Sequence, residues 1–159
     1  MRRIRARAPR ATIHLETNGS LPIALRRLRD AGVDSIGIRL ASARPDTYDA
    51  LHRPEGYRLT DVRASLAEAA GWDVALTLVV LVLPGLTDRP RELEALVALA
   101  GEIPAGNVLL LRDLAADPRR VLALVPGDAP LGMPTALARL RSDASHLVIA
   151  ASARPLARV

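Results

Sequence analysis

The chain has 159 residues, which is enough for one domain with a real hydrophobic core. Half of the residues are apolar but only 2% are aromatic, so the chain lacks the rings on which single-stranded nucleic acids stack. The net charge is +5, and residues 1–10 alone contain five arginines and no acidic residue. The basic charge therefore belongs to an amino-terminal arm, and no fold-wide basic surface is indicated.

The sequence contains no cysteine, which excludes disulfides, a cysteine nucleophile and thiolate metal sites. The most apolar run, residues 76–86, is interrupted by Thr77 and Pro84 and is shorter than the roughly 20 residues of a membrane-spanning helix. No apolar segment follows the basic arm, so no secretory signal is predicted. We expect a cytoplasmic protein that contacts neither membranes nor nucleic acids.

Apolar runs of strand length alternate with helical stretches along the chain. The predicted strands cover residues 11–16, 34–40, 73–83, 107–111 and 146–150. The predicted helices cover about 21–30, 45–51, 61–70, 89–100, 118–124 and 134–141. Polar residues just before three of these helices are the predicted helix caps, namely Ser20, Thr60 and Asp88.

This alternation of strands and helices predicts right-handed crossovers and one parallel sheet. The third strand has almost no polar alternation, which is typical of a strand covered on both faces. Five strands are too few to close an eight-stranded barrel, so the predicted fold is α/β, an open partial TIM-type barrel with helices on its outer face. Residues 1–10 are a basic arm or helix remnant, 11–150 the partial barrel and 151–159 a tail.

Parallel α/β proteins bind ligands at the carboxyl ends of their strands, and four loops there carry informative residues. Thr17-Asn18-Gly19 offers a hydroxyl, an amide and close backbone approach, and residues 39–42 follow the second strand. Residues 82–88 contain a Pro-Gly turn. Arg112 could clamp a carboxylate or phosphate. Each loop taken alone is equally explained by a turn, a helix cap or a structural ion pair.

Nothing else in the sequence indicates catalysis or metal binding. The three histidines, His14, His52 and His146, lack metal-ligand spacing, and the two on predicted strands, His14 and His146, are predicted to be packing residues with satisfied hydrogen bonds. Glu92 and Glu94 lie on a predicted helix and are expected to face solvent. Nucleophile-elbow, Walker A and dinucleotide-binding patterns do not occur. No catalytic residue and no metal ligand are therefore predicted.

The order and spacing of the four loops resemble those of the radical S-adenosylmethionine (SAM) superfamily over residues 11–150. The resemblance is carried by IHLETNGS, AGVDSIGIRLASARPDTYDALHRPEGY, LVVLVLPGLTD and VLLLRDLAADP. These segments correspond to the third, fourth, fifth and sixth strands of the family barrel. On this alignment, residues 2–9 are the end of the helix between the second and third strands, and the chain would begin within the barrel.

The resemblance implies a SAM-binding edge. It places the first loop beside SAM, gives Arg39 or Ser42 a polar contact to the ribose, and sets Leu83 and Gly85 against the adenine. Two departures from the family pattern are Arg39, where many members have serine, and Leu81, which replaces the first glycine of the fifth-strand motif. The implied cofactor-binding residues are Thr17, Asn18, Gly19, Arg39, Ser42, Leu83, Gly85, Asp88 and Arg112.

The family also holds a [4Fe–4S] cluster through three cysteines, and this chain has none. Without the cluster no electron can reach the sulfonium, because that chemistry belongs to the cofactor. The chain is expected to be inactive alone while retaining part of a SAM pocket. Three explanations stay open: a truncated or split gene product; a non-catalytic paralogue that pairs with a complementing chain or with itself through the open barrel edge; and a distinct α/β enzyme that uses Arg112, Asp88 and Asp113.

Overall fold

The computed structural model describes residues 2–83, 85–104, 108–113, 129, 131, 133–143 and 148–152. Its strands are β1 (His14–Thr17), β2 (Ser35–Leu40), β3 (Ala75–Val82), β4 (Val108–Asp113) and β5 (Val148–Ser152). Its helices are α1 (Arg2–Arg7), α2 (Pro22–Asp30), α3 (Pro45–His52), α4 (Leu59–Ala70), α5 (Pro90–Ala100) and α6 (Met133–Asp143). The predicted helix over residues 118–124 and the predicted tail from residue 153 onward lie outside the described residues.

All five strands form one parallel sheet in the order β1-β2-β3-β4-β5. The predicted α/β class with an open parallel sheet is confirmed. Thr17 pairs with Ile38, and Val82 pairs with Asp113. The strands therefore end at one edge, called the carboxyl edge below, which is formed by the ends of β1 to β4 and the residues that follow them.

The hydrophobic core lies on one face of this sheet. Because successive side chains of a strand point to opposite faces, alternate residues of β2 and β3 form this packed face. They contact apolar side chains of α2, α4 and α5, and burial of each such side chain contributes roughly 1.5–3 kcal/mol. The packed face consists of Ile36, Ile38, Leu40, Leu76, Leu78, Val80 and Val82, and the helices contribute Leu25, Val62, Leu66, Leu93 and Leu96 among others.

The opposite face of the sheet carries polar residues and is called the open face. A Cβ on Gly37 would meet Glu16 Cγ at 3.2 Å and His14 Nε2 at 3.4 Å, so β1 and β2 share this face. On β3, Ala75 is exposed and Thr77 is partly exposed on this face, whereas Val79 is 1% exposed, so the predicted cover on both faces holds for only part of the strand. The polar residues of the open face are His14, Glu16, Ser35, Arg39 and Thr77, and the core cluster includes none of them.

Proline starts three of the helices, α2, α3 and α5, where its missing N–H costs no hydrogen bond. The predicted caps Ser20, Thr60 and Asp88 are wrong. Helix α2 begins after Leu21 without a side-chain cap, and α5 begins after Arg89. Helix α4 begins two residues earlier than predicted, and its Asp61 Oδ2 accepts the Arg58 N–H at 2.8 Å.

The amino-terminal arm contains α1, and Arg5 attaches this helix to the sheet. The Arg5 guanidinium donates to Ala11 O at 2.7 Å, to Gly32 O at 2.8 Å and to Asp34 Oδ2 at 2.7 Å. The hydrogen bond from the Ile13 N–H and the guanidinium together hold the pKa of Asp34 below its usual value. Within the described part of the chain, no helix has the length and hydropathy to cross a bilayer.

Candidate functional site

The loop after β1 is held rigidly at the carboxyl edge. Gly19 N donates to Thr17 Oγ1 at 3.2 Å, and Ser20 N donates to Asn18 Oδ1 at 3.1 Å. Gly19 has a φ of +68°, and a Cβ there would meet Ile38 Cγ2 at 3.2 Å. Its carbonyl accepts the buried Ser65 hydroxyl of α4 at 2.7 Å. The three predicted residues therefore form one fixed turn, and glycine suits its last position because an added Cβ would strain the backbone and press against Ile38.

Arg39 lies one residue before the end of β2, on the open face. Its side chain is exposed, and it makes no hydrogen bond or ion pair with any residue that the structure describes. Pairing of Arg39 with Val79 places it in the middle of the sheet's width. A guanidinium in this position has five N–H donors for a carboxylate, a phosphate or sugar hydroxyls.

Ser42 follows β2 but directs its hydroxyl into the protein. The residue is 4% exposed, and its Oγ donates to Glu92 Oε2 at 2.6 Å. The same Oγ accepts the Arg44 N–H at 3.0 Å. Of the two residues predicted as ribose contacts, Arg39 has its polar group directed to the open face, whereas the Ser42 hydroxyl is engaged inside.

Glu92 is the polar residue that sequence reasoning missed. The expectation that it faces solvent is wrong, because it is 6% exposed and accepts hydrogen bonds from Ser42 and from Thr47 Oγ1, the latter at 2.6 Å. Arg44 Nε lies 3.5 Å from its Oε1. The signal in the sequence is spacing: Glu92 precedes the buried Leu96 by four residues and therefore shares its helix face. Glu94 does face solvent and lies 3.4 Å from Arg139 Nη2.

The turn after β3 is closed by internal hydrogen bonds. Gly85 has a φ of +85°, its N–H donates to Asp88 Oδ1 at 2.7 Å, and its carbonyl accepts Arg89 Nε at 3.0 Å. Thr87 Oγ1 accepts the Leu83 N–H at 2.8 Å. Leu83 and Asp88 are both buried. The Asp88 carboxylate thus stabilises the turn. This structural role argues against the alternative of a distinct enzyme that uses Asp88 in catalysis.

Arg112 lies inside β4 and not in the loop after it, because this strand extends two residues beyond the predicted end. Its backbone pairs with Leu81 on one side and with Ser152 on the other. Asp113 pairs with Val82 and is the last residue of the strand. Both residues are therefore at the carboxyl edge, one and two register rows beyond the row of Leu40.

His14 differs from its predicted packing role, because it is exposed on the open face, with its Nδ1 2.7 Å from Ser35 Oγ. His52 stacks on Tyr48 with a ring-centroid distance of 4.3 Å, and its Nε2 has no hydrogen-bond partner among the described residues. Burial lowers the pKa of His52 and raises that of Tyr48. His146 lies outside the described residues.

A [4Fe–4S] cluster does not fit the residues of this chain. The sequence has no cysteine, and within the described residues no three His, Asp or Glu side chains converge as metal ligands would. Iron–sulfur clusters are held by thiolates, with imidazole as a partial replacement in some centres. The chain's own side chains thus supply no ligand set for the cluster.

Comparison with known proteins identifies the family. A family model described as the radical SAM superfamily matches residues 1–98, more than half of the chain. This chain belongs to the radical SAM superfamily. No curated protein sequence matches it.

Among solved structures, the chain is similar to a radical SAM methyltransferase from Sphaerobacter thermophilus, with a TM-score of 0.52 and 18% sequence identity. The match covers 90% of this chain and 40% of the methyltransferase, so the chain spans less than half of that protein's length. At 18% identity this likeness shows a shared fold, and it does not show that the two proteins catalyse the same reaction.

Proposed function

We propose that this chain supplies one side of a SAM-binding surface and does not perform radical chemistry with its own residues. The observation that carries the proposal is Arg39, an exposed cation at the carboxyl edge with no partner in the described part of the chain. Family membership supports SAM as the ligand, and the absence of cysteine supports the lack of cluster chemistry. We expect the protein to act in the cytoplasm.

The proposed roles follow from the geometry of the edge. SAM has ribose hydroxyls and a methionyl carboxylate, and a guanidinium donates to both kinds of oxygen. The turn at residues 17–19 is fixed by its own hydrogen bonds and would place the exposed Asn18 and the backbone of the turn beside the ligand. The turn at Gly85 and the buried Leu83 would border the adenine, as the resemblance implies. Arg112 would contribute from the next strand.

Calorimetry of the whole chain with SAM tests this proposal. We expect measurable heat at SAM concentrations up to about 1 mM, which corresponds to a binding free energy near −4 kcal/mol. Arg39→Ala should weaken binding about tenfold, because it removes a charge-assisted contact. Arg27→Ala is the matched control: Arg27 is an exposed arginine on α2, outside the carboxyl edge, so the change in net charge is the same.

Two outcomes would contradict the proposal. The absence of heat with the unmodified chain at millimolar SAM would show that the chain does not bind SAM. Equal weakening by Arg39→Ala and Arg27→Ala would show that only the overall charge matters and that Arg39 makes no specific contact.

A second candidate function is a non-catalytic subunit that pairs with a complementing chain or with another copy of itself. The supporting observation is that β1 is an edge strand of the described sheet. An unpaired strand edge is a template for pairing with another strand. Sedimentation velocity of the purified chain tests self-association. A single monomeric species at all concentrations would count against pairing between copies, and a defined dimer would support it.

A further inference from the structure

We propose that Glu92 is a positioning residue that fixes the segment from Ser42 to Thr47, and that it thereby sets the shape of the carboxyl edge beside Arg39. The inference goes beyond the proposed SAM surface, because it assigns a role to a residue of α5 that does not itself lie at the edge. Its consequence for ligand affinity rests on the proposed function. Its consequence for the segment does not.

The contacts of Glu92 connect both ends of this segment to α5. One carboxylate oxygen accepts from Ser42, directly after β2, and the other accepts from Thr47, in the first turn of α3. Both distances are 2.6 Å, the short range of hydrogen bonds to a charged acceptor. Arg44, between the two, places its Nε 3.5 Å from the same carboxylate. The Glu92 side chain therefore contacts three residues of this six-residue segment.

Other described hydrogen bonds of this segment are local, for example from the Arg44 N–H to Ser42 Oγ and from the Arg44 guanidinium to Asp46, whereas Glu92 adds contacts from α5. Ala41 and Ala43, on either side of Ser42, are buried but have small side chains. A cavity of about 10 Å³ lies between this segment, Glu92 and Leu96, and it is roughly large enough for one water molecule. Removal of the carboxylate would enlarge the empty space and leave two buried hydroxyls without their acceptor. The segment would then shift toward the helix.

The buried Glu92 carboxylate contributes more to a single geometry of the segment than to the free energy of unfolding. Burial of a carboxylate is costly unless its hydrogen bonds are complete, and replacing such a group with an apolar side chain is often neutral or stabilising. What the carboxylate provides is one geometry, because its two oxygens must meet two hydroxyls at once. Arg39 is three residues before Ser42 on the same strand end. The position of its guanidinium thus depends on where the strand turns.

The test compares Glu92→Ala, Glu92→Gln and Glu94→Ala. The first removes the acceptor, and the second keeps the shape but has one acceptor oxygen and an NH2 donor in place of two charged acceptor oxygens. The third is the matched control, since Glu94 is an exposed acid on the same helix. Amide hydrogen exchange is measured without SAM at Arg44 and Tyr48, whose N–H groups donate to Ser42 Oγ and to Arg44 O. SAM affinity is measured in parallel by calorimetry.

We expect Glu92→Ala to speed exchange at both amides at least tenfold relative to amides of β3, and to weaken SAM binding about tenfold, the lower end of the effects seen when an orienting partner is lost. Glu92→Gln should restore part of the protection, because it keeps one acceptor oxygen, and Glu94→Ala should change neither quantity.

Other results overturn the inference. Unchanged exchange at Arg44 in Glu92→Ala, or a uniform increase over the whole chain, would show that Glu92 does not fix this segment. If Glu92→Ala does not fold, Thr47→Val and Glu92→Gln provide the comparison, because Thr47→Val removes a hydroxyl that Glu92 holds and leaves the acceptors of both monitored amides in place. If the unmodified chain binds no SAM, the proposed function fails, whereas the exchange measurements still decide whether Glu92 positions the segment.

Discussion

The packed face and the open face of the sheet are built from the same strands, yet they have different chemistry. On β2, Ile36, Ile38 and Leu40 are buried against helices, while Arg39 between them is exposed. Burial of aliphatic side chains stabilises the fold, and the other face contributes little burial. The comparison separates residues that keep the chain folded from residues that are free to contact a ligand.

The largest effect is expected from a deletion on the packed face. Leu78→Ala removes a side chain that is 1% exposed at the centre of β3, and should lower the free energy of unfolding by about 2–5 kcal/mol. Thr77→Ala, its neighbour on the open face, should cost less than about 1 kcal/mol. Urea denaturation followed by circular dichroism measures both. Similar losses for the two variants would mean that the open face is as important for stability as the packed face.

A smaller effect is expected where the packed face meets the carboxyl edge. Gly19→Ala forces a Cβ into left-handed backbone and toward Ile38, and should cost about 1–3 kcal/mol. Gly56→Ala is the control, since Gly56 has a φ of +74° but no atom within 4 Å of an added Cβ. It should cost only the strain, about 1 kcal/mol. If the two variants lose equal stability, the contact between this turn and β2 is unimportant.

The third prediction concerns pH. Burial lowers the pKa of His52 below its ordinary value of 6.5, so the unfolded chain takes up a proton that the folded chain resists. This contribution to stability is therefore present above about pH 6.5 and is lost as the pH falls below it. His52→Phe keeps a ring stacked on Tyr48 and should flatten the decline between about pH 7 and 5. Thermal melts across this range check it, and an unchanged slope would exclude His52 as the cause.

The fold class was predictable because its signals are local. Strand-length apolar runs, turn glycines and helix-starting prolines identify the elements, and their alternation implies the parallel sheet. The open face was not predictable, because residues 73–83 are apolar at nearly every position, and such a run does not show which face a helix covers. The end of β4 was missed because Arg112 and Asp113 look like loop residues.

At the candidate site, the sequence identified the loops but not the state of each polar group. The turn at Gly19 and the position of Arg39 follow from strand ends and glycine placement. The engagement of Ser42 does not, since its partner Glu92 is 50 residues away along the chain. Asp88 was misjudged for a related reason: a side chain before a helix can cap that helix or close the preceding turn, and only the backbone geometry distinguishes the two.

The Arg5 contacts also bear on the register between β1 and β2. All of the groups that Arg5 contacts lie at or before residue 34, and Asp34 also accepts the Ile13 N–H, next to the pairing of His14 with Ser35. These contacts support the alignment of the first two strands without any residue of β3 or of a later element. A shift of one residue would separate Asp34 from both donors and turn every side chain of β1 to the other face. Helix α1 thus helps to select one pairing of the edge strand over its one-residue alternatives.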